Sequence, residues 1–371
     1  MRARSQSYTR GKVRRAWALI GFWDGNEFIL ENYLSKKCTS VSPLLVRLLQ
    51  ETSLFTPVAE LCQQLNLIPG GPALLQHLID QDLFIREHSS LDRKERKLGK
   101  TWKWGHEARF FHFATQNIPF LDLQTEKEHL AQLALNTPPP PFENTPQGPT
   151  LKLPENFPSR NTDFWQTLYQ RRTRRSYVPH SIPKQTFSKI LQWTWGRTRT
   201  LTDPILGPYI LKTSPSGGAR HPIDVYPIVL RVKGVAPGIY QYLVGQHGLH
   251  VIQKGNFAKQ AVQFLGEQPW VEQAAVVFIM VGDVSRIMWK YAHAHAYRVL
   301  LLDAGHLGQT FHLVCTKLGL GPFTCAALNE ERIQQALRLD GIQHIPIYAA
   351  AVGIPTPNNP TRSGRERAKT S

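Results

Sequence analysis

The sequence predicts a chain of mixed helices and strands in two parts, and three observations predict it. The stretch 288–321, MWKYAHAHAYRVLLLDAGHLGQTFHLVCTKLGLG, reads as one long apolar helix around which the rest is organised. Several short segments carry strand signals joined by Gly-, Asn- and Asp-containing turns. A proline-rich run at 138–158, NTPPPPF to PENFP, divides the chain and reads as a semi-rigid, extended linker.

In the long stretch, Val299, Leu300, Leu302, Leu307, Phe311, Val314 and Leu318 cover most of a helix circumference, so a central, buried helix is expected. Gly305 and Gly308 inside it cost about 1 kcal/mol each against alanine, which points to close approach by another backbone or a flat ligand. Gly319 and Gly321 are stop signals.

Bulk properties narrow the function. The 371 residues, 42% apolar with nine Trp and 17 Phe, suffice for real cores. No apolar run is long enough to span a bilayer, and no secretory signal is visible. Cys38, Cys62, Cys315 and Cys325 are scattered and form no Cys-x-x-Cys pair, as in a reduced cytoplasmic protein. A net charge of +17 favours an anionic partner: nucleic acid, a phosphate-bearing cofactor or an acidic peptide.

Taken in order, residues 1–15 read as a mobile basic tail. Residues 16–136 read as a small domain with a helical extension. Its elements are a hairpin turning at Asp24-Gly25-Asn26, helices at 43–50 and 73–79, and a helix at 58–65 capped by Thr56 with Pro57 at its first position. A strand at 83–85 closes it. Short helices followed by a strand resemble a winged helix-turn-helix, which binds DNA or peptides or acts as a scaffold. The second and third helices lack the Arg, Lys, Asn and Gln cluster that base reading needs, which argues against a nucleic-acid partner. The run 93–100 reads as a solvated charged face, and the aromatic-rich 102–117 as a cover for the second domain. A short helix is expected at 126–135, the linker at 137–160, the second domain at 161–355 and a disordered tail at 356–371. In the second domain, helices are expected at 164–170, from Ile182-Pro183 onward with Phe187, Ile190, Leu191 and Trp193 as its apolar face, at 256–264 and at 330–337. Strands are expected around Val225, Ile228 and Leu230, at 238–242, 249–252, 274–281 and 345–352.

Three clusters could carry chemistry. The run Arg171-Arg172-Thr173-Arg174-Arg175 suits a phosphate, because guanidinium groups give paired charge-assisted hydrogen bonds and Thr173 adds a neutral donor. A solvated basic face is the plainer alternative. The loop Ser214-Pro215-Ser216-Gly217-Gly218-Ala219-Arg220-His221-Pro222 lets backbone N–H groups approach a planar or anionic ligand, yet it is neither a Walker loop nor GxGxxG. Lys290 and Tyr291 could supply an acid or base. His293 and His295 are two apart, which puts them on different faces of a helix, and no metal site is expected.

In their order along the chain, these blocks resemble the nitroreductase-like FMN flavoprotein superfamily, and more narrowly its SagB-type peptide dehydrogenase branch, the azoline oxidases. The matching residues are Arg171-Arg172-Thr173-x-Arg175, then Pro215 to Pro222 with Tyr226, then Gly238-x-Tyr240, Lys290-Tyr291, Arg298, Gly305-His306-Leu307-Gly308-Gln309 and Leu318-Gly319-Leu320-Gly321. The likeness covers a little over half of the chain.

The resemblance implies an α+β fold, a nitroreductase-like FMN domain with a central, mostly antiparallel sheet and flanking helices, preceded by a small winged-helix-like domain. It implies a homodimer with FMN at the dimer interface. Arg171, Arg172, Thr173 and Arg175 would hold the flavin phosphate and ribityl chain. Pro215, Ser216, Gly217 and Ala219, with Gly218 and Arg220 of the same block, would approach the isoalloxazine. Thr324 and Ala326 would line the ring from the other side, and Lys290-Tyr291 would be the catalytic pair. The implied reaction is oxidation of thiazoline or oxazoline rings to azoles in a ribosomally made peptide that carries a leader, alone or in a cyclodehydratase complex. A nicotinamide-fed nitro or quinone reductase and a non-catalytic winged-helix peptide- or DNA-binding protein are the competing expectations. Two departures from the family pattern bear on the substrate: Ala327-Leu328 stands where Gly-Phe is usual, and His293-Ala294-His295 follows the Lys-Tyr pair.

Overall fold

A computed structural model describes residues 11–65, 71–117, 124–125, 128, 163–203 and 207–357. Residues 1–10, the linker at 137–160, the tail beyond 357 and most of the helix expected at 126–135 lie outside the described residues. The chain forms two compact units, Met1–Gln116 with Met288–Tyr297, and Asn117–Ile287 with Arg298–Ser371.

The first unit begins with β1 (Lys12–Arg15), the hairpin β2 (Leu19–Asp24) and β3 (Glu27–Asn32), and β4 (Lys37–Ser40). It continues with α1 (Pro43–Glu51), β5 (Thr56–Pro57), α2 (Val58–Leu65), α3 (Gly71–Asp80) and β6 (Phe84–Arg86), then α4 (Ser90–Thr101) and α5 (His106–Ala114). The strands form two three-stranded sheets, β5-β1-β6 and β2-β3-β4. Val13, Leu45, Leu49, Leu61, Leu75, Leu78 and Phe84 pack as its core.

Three expectations are corrected here. Residues 12–15 belong to no tail: β1 pairs with β5 and β6, and Val13 and Arg14 are both buried. Thr56-Pro57 is strand β5 rather than cap and first turn, because Thr56 opposes Val13 in that pairing. The charge run at 93–100 is not all solvated. It lies in α4, capped by Ser89 Oγ accepting from the Asp92 N–H, and its inner stripe is Asp92, Glu95 and Leu98. Glu95 is fully buried because Arg14 Nη1 donates to it at 2.7 Å and the Trp17 and Ala18 amides donate at 3.1 Å each. Arg14 also donates to Asp92 at 2.9 Å. A buried charge persists only when so paired.

The second unit holds α6 (Asp163–Gln170), β7 (Tyr177–Val178), β8 (Ile182–Pro183), α7 (Lys184–Thr194), β9 (Arg199–Asp203) and β10 (Gly207–Leu211). A short 3-10 turn (Gly217–Ala219) leads to β11 (Ile223–Val229), β12 (Val232–Lys233), β13 (Gly238–Leu243), β14 (Gly248–Lys254), α8 (Ala258–Phe264) and β15 (Val276–Asp283). Next come α9 (Val284–Met288), α10 (Ala296–Lys317), β16 (Gly321–Cys325), α11 (Glu330–Leu337) and β17 (His344–Pro355). The main sheet is antiparallel throughout, in the order β14-β13-β11-β15-β17-β16 with β7 added to β17. β15 is buried along its whole length, which explains its unbroken apolar sequence VVFIMV. The β9–β10 hairpin was not anticipated.

Two further corrections concern helices. The helix expected from Ile182-Pro183 begins only at Lys184, because Ile182 and Pro183 pair in parallel with Val232 and Lys233 as β8. Within α7 the buried residues include Phe187, Ile190 and Leu191, with Trp195 just beyond, whereas Trp193 is half-exposed. Trp195 stacks on Phe278 at 5.0 Å between ring centroids, so it takes the core position. The long helix is shorter than expected. It starts at Ala296, and residues 289–295 are a loop after α9 in which no residue is fully buried. Tyr291, Ala292 and Ala294 stand at helical spacing between Met288 and Ala296, but none of them is fully buried, so packing does not hold a helix there. Nor is α10 buried all round: Leu300, Ala304, Leu307, Phe311 and Cys315 face the core while Leu302 is 61% exposed. Among the described residues, no helix is long and apolar enough to cross a membrane.

Candidate functional site

In the second unit, α10 is the common support for the expected binding blocks. Its face Val299, Asp303, Leu307 and Thr310 follows the i, i+4, i+8, i+11 spacing of one helix side. Asp303 Oδ2 accepts from Ser216 Oγ at 2.6 Å, and Oδ1 accepts from the Gly217 N–H at 3.2 Å. Ser216 Oγ in turn accepts from the His221 N–H at 2.8 Å. Ser214 Oγ meets Thr310 Oγ1 at 2.6 Å. Gly217 is required by space: a Cβ there would lie 2.3 Å from Val299 Cγ1. Gly218, Ala219 and His221 adopt φ of +61°, +55° and +45°. For alanine and histidine this left-handed form costs roughly 1–2 kcal/mol per residue, so the surrounding contacts hold it. Pro215 is exposed, and Arg220 Nε donates to the Gly218 carbonyl at 3.1 Å.

Charge is tuned around this loop. Burial pushes the Asp303 carboxyl up, against the hydrogen bonds from Ser216 and Gly217. Burial lowers Lys212 to about 8, against the pull of Asp224. Burial and then the Lys212 charge lower His221 to about 4. Asp224 is committed to Arg286, which donates to both of its oxygens at 2.8 and 2.7 Å.

The arginine block is an irregular segment between α6 and β7. Arg174 N–H donates to the Pro322 carbonyl at 2.9 Å, which ties the block to β16 and so to Thr324. Thr324 Oγ1 lies 3.2 Å from His312 Nε2 on α10. His312 is buried, and burial together with the Arg171 charge lowers it to about 4. Its Nδ1 is buried with no hydrogen-bond partner among the described residues. Thr324 and His312 are thus in contact, and the Arg171 charge acts on His312. The other arginines have local partners. Arg172 Nη1 donates to the Tyr169 and Arg171 carbonyls at 2.9 and 2.7 Å. Arg175 stacks over Phe323 and Trp270 at 5.4 and 5.8 Å from the ring centroids. Thr173 is half-buried and Ala326 exposed.

Lys290 and Tyr291 belong to the first unit and sit in the loop before α10, not on the helix. Trp104 Nε1 donates to the Tyr291 carbonyl at 3.0 Å, and the Lys103 N–H meets Met288 Sδ at 3.2 Å. Lys290 Nζ lies 5.5 Å from the Tyr291 ring centroid. The rings of Tyr291 and His293 are 6.2 Å apart, and those of His293 and His295 6.3 Å. Tyr297 anchors the far end, its hydroxyl 2.8 Å from His112 Nδ1. Among the described residues no His, Cys, Asp and Glu group could hold a metal ion.

Sequence reasoning missed Asp303, Thr310 and His312. The signal for Asp303 was present: a lone carboxylate inside VLLLDAGHLGQ is costly unless a donor set awaits it.

The chain is 27% identical over 186 residues to a protein of Methanocaldococcus jannaschii named as a nitroreductase, covering 50% of this chain and 88% of that one. It is 28% identical over 167 residues to the trifolitoxin-processing protein TfxB of Rhizobium leguminosarum bv. trifolii, covering 44% of this chain and less than half, 45%, of that protein. A solved structure of the E. coli microcin synthetase McbBCD complex with truncated pro-MccB17 aligns at a TM-score of 0.43 and 17% identity, over 64% of this chain and 92% of that chain. Residues 168–354, half of the chain, match the nitroreductase family. That span runs from the arginine block through the glycine loop and α10 to the end of β17, and the chain belongs to the nitroreductase family.

Proposed function

We propose that this protein is an FMN-dependent dehydrogenase that oxidises thiazoline or oxazoline rings to azoles in a ribosomally made peptide. The observation that carries the reading is the support given by α10 to two sets of polar groups, the Ser214–His221 loop and the His312–Thr324 pair, on which the Arg171 charge acts. Their chemistry fits a flavin mononucleotide. Arg171, Thr173 and Arg175 suit the phosphate, Thr324 and Ala326 the ring, and the unpartnered His312 Nδ1 offers a buried polar atom to a ligand. Pro215, Ser216, Gly217, Gly218, Ala219 and Arg220 form the opposing loop, contributed in a homodimer by the partner subunit.

When bound, FMN supplies a hydride acceptor. An azoline loses a proton from Cα and a hydride from Cβ, the ring gains a C=C bond, and the product is aromatic. Tyr291 or Lys290 takes the Cα proton. The toxin-processing relative supports a peptide substrate. The first unit, read as winged-helix-like, would hold the leader peptide or a cyclodehydratase partner in the cytoplasm, and the net charge of +17 suits an acidic leader.

The test is an absorbance spectrum of the purified protein and of its heat-released chromophore, followed by incubation with an azoline-bearing peptide. FMN release and a mass loss of two hydrogens per ring support the reading. A colourless protein that takes up no added FMN sinks it. An FMN protein that reduces nitro compounds with a nicotinamide cofactor but leaves azolines untouched establishes the reductase alternative.

A further inference from the structure

We propose that Asp303 is a positioning residue that fixes the 214–221 loop and, through it, the retention of FMN; the second half rests on the cofactor reading above. Asp303 is 3% exposed on α10, between the buried Leu300 and Leu307, a place where a carboxylate needs a purpose. Both its oxygens are used on the loop, one by Ser216 Oγ at 2.6 Å and one by the Gly217 amide at 3.2 Å. Because Ser216 Oγ also accepts from the His221 N–H at 2.8 Å, the same carboxylate reaches the far end of the loop through one hydroxyl. Between those ends the chain takes left-handed conformations at Gly218, Ala219 and His221, two of them on residues that avoid this region. Such a conformation persists only where its surroundings impose it.

The geometry also requires a carboxylate rather than any polar side chain. Ser216 O–H and Gly217 N–H are both donors, so the residue at 303 must accept twice. An asparagine of the same size offers one acceptor and turns a donor toward the other arm. If the amide NH2 faces Gly217 it opposes that N–H; if it faces Ser216, the hydroxyl must accept from it as well as from His221, its own hydrogen loses its acceptor, and the bond that holds the loop to α10 is weaker than one to a carboxylate.

Asp303→Asn and Ser216→Ala are therefore compared with the full-length wild type by hydrogen exchange over 214–221 without ligand, by thermal melting, and by FMN titration read in flavin fluorescence. The expected result for Asp303→Asn is exchange of the loop amides faster by about tenfold and an FMN Kd raised about tenfold, the scale of one lost charge-assisted hydrogen bond. Ser216→Ala should move both readouts the same way, and the double variant should be no worse than Asp303→Asn alone. Unchanged exchange in Asp303→Asn overturns the pinning. Faster exchange with a wild-type Kd overturns the link to FMN. Should Asp303→Asn fail to fold, the same two readouts on Ser216→Ala decide. A wild-type protein that takes up no FMN overturns the cofactor reading and the retention half together, while the exchange arm still judges the pinning.

Discussion

The indole Nε1 of Trp104 donates a 3.0 Å hydrogen bond to the backbone carbonyl of Tyr291. Trp104 is buried, its ring meeting Tyr297 edge-on at 5.4 Å and Trp102 at 5.2 Å. An aromatic cluster of the first unit thus fixes the loop that carries the proposed catalytic pair. Trp104→Phe keeps most of the packing and removes the donor. Its expected cost is about 1 kcal/mol of stability, with kcat lowered and FMN content unchanged. Denaturant unfolding and steady-state kinetics check this, and unchanged kcat would make the contact purely structural.

Tyr291→Phe and Lys290→Ala should each retain flavin yet cut turnover by about 10²-fold, the usual contribution of a positioned acid or base. The readout is azole formation at saturating peptide. Full activity in both variants removes the pair from the reaction.

Arg175→Ala should lower FMN retention on purification. The side chain also stacks on Phe323 and Trp270, so Arg175→Lys should restore little, because the ammonium replaces neither the planar stack nor the fork of donors. A flavin-to-protein ratio at the wild-type level in Arg175→Ala counts against the phosphate role.

Glu95→Ala leaves two amides and one arm of the Arg14 guanidinium without their buried acceptor. Breaking a buried pair from one side costs about 3–5 kcal/mol. The first unit should unfold earlier in urea by that amount, and a loss under 1 kcal/mol would mean that the site relaxes or admits water.

His312 sets a pH dependence. Burial and Arg171 hold it near 4 in the folded protein, against about 6.5 in an unfolded chain. The folded value is the lower one, so the unfolded state binds more protons between these limits. The stabilisation is complete above about pH 6.5 and is lost as pH falls toward 4. The shift corresponds to roughly 3 kcal/mol. His221, lowered to about 4 by burial and Lys212, acts with the same sign. Stability measured from pH 7 to 4 should fall less steeply in His312→Gln than in the wild type, and equal slopes would show that His312 contributes nothing.

The sequence by itself determined much of the second unit. The strands at 238–242 and 249–252, the buried strand VVFIMV and α11 were legible, because period is a local property. Of the two glycines inside the long helix only Gly308 is closely approached, by the Tyr348 ring, while a Cβ on Gly305 would meet nothing within 4 Å. What it could not determine depended on contacts far apart in the chain. The Lys-Tyr pair lies in a loop whose side chains find no buried packing, and the Tyr291 carbonyl is held there by Trp104, 187 residues away. Glu95 leaves a charged face for the interior because Arg14 and two amides meet it there. Trp195 replaces Trp193 in the core because Phe278 and Phe311 stand beside it. Asp303 acquires its role only when the glycine loop, 86 residues earlier, folds onto α10. Propensity acts between neighbours, whereas desolvating a charge or satisfying a lone donor is settled by whichever partner the tertiary structure brings within hydrogen-bonding distance.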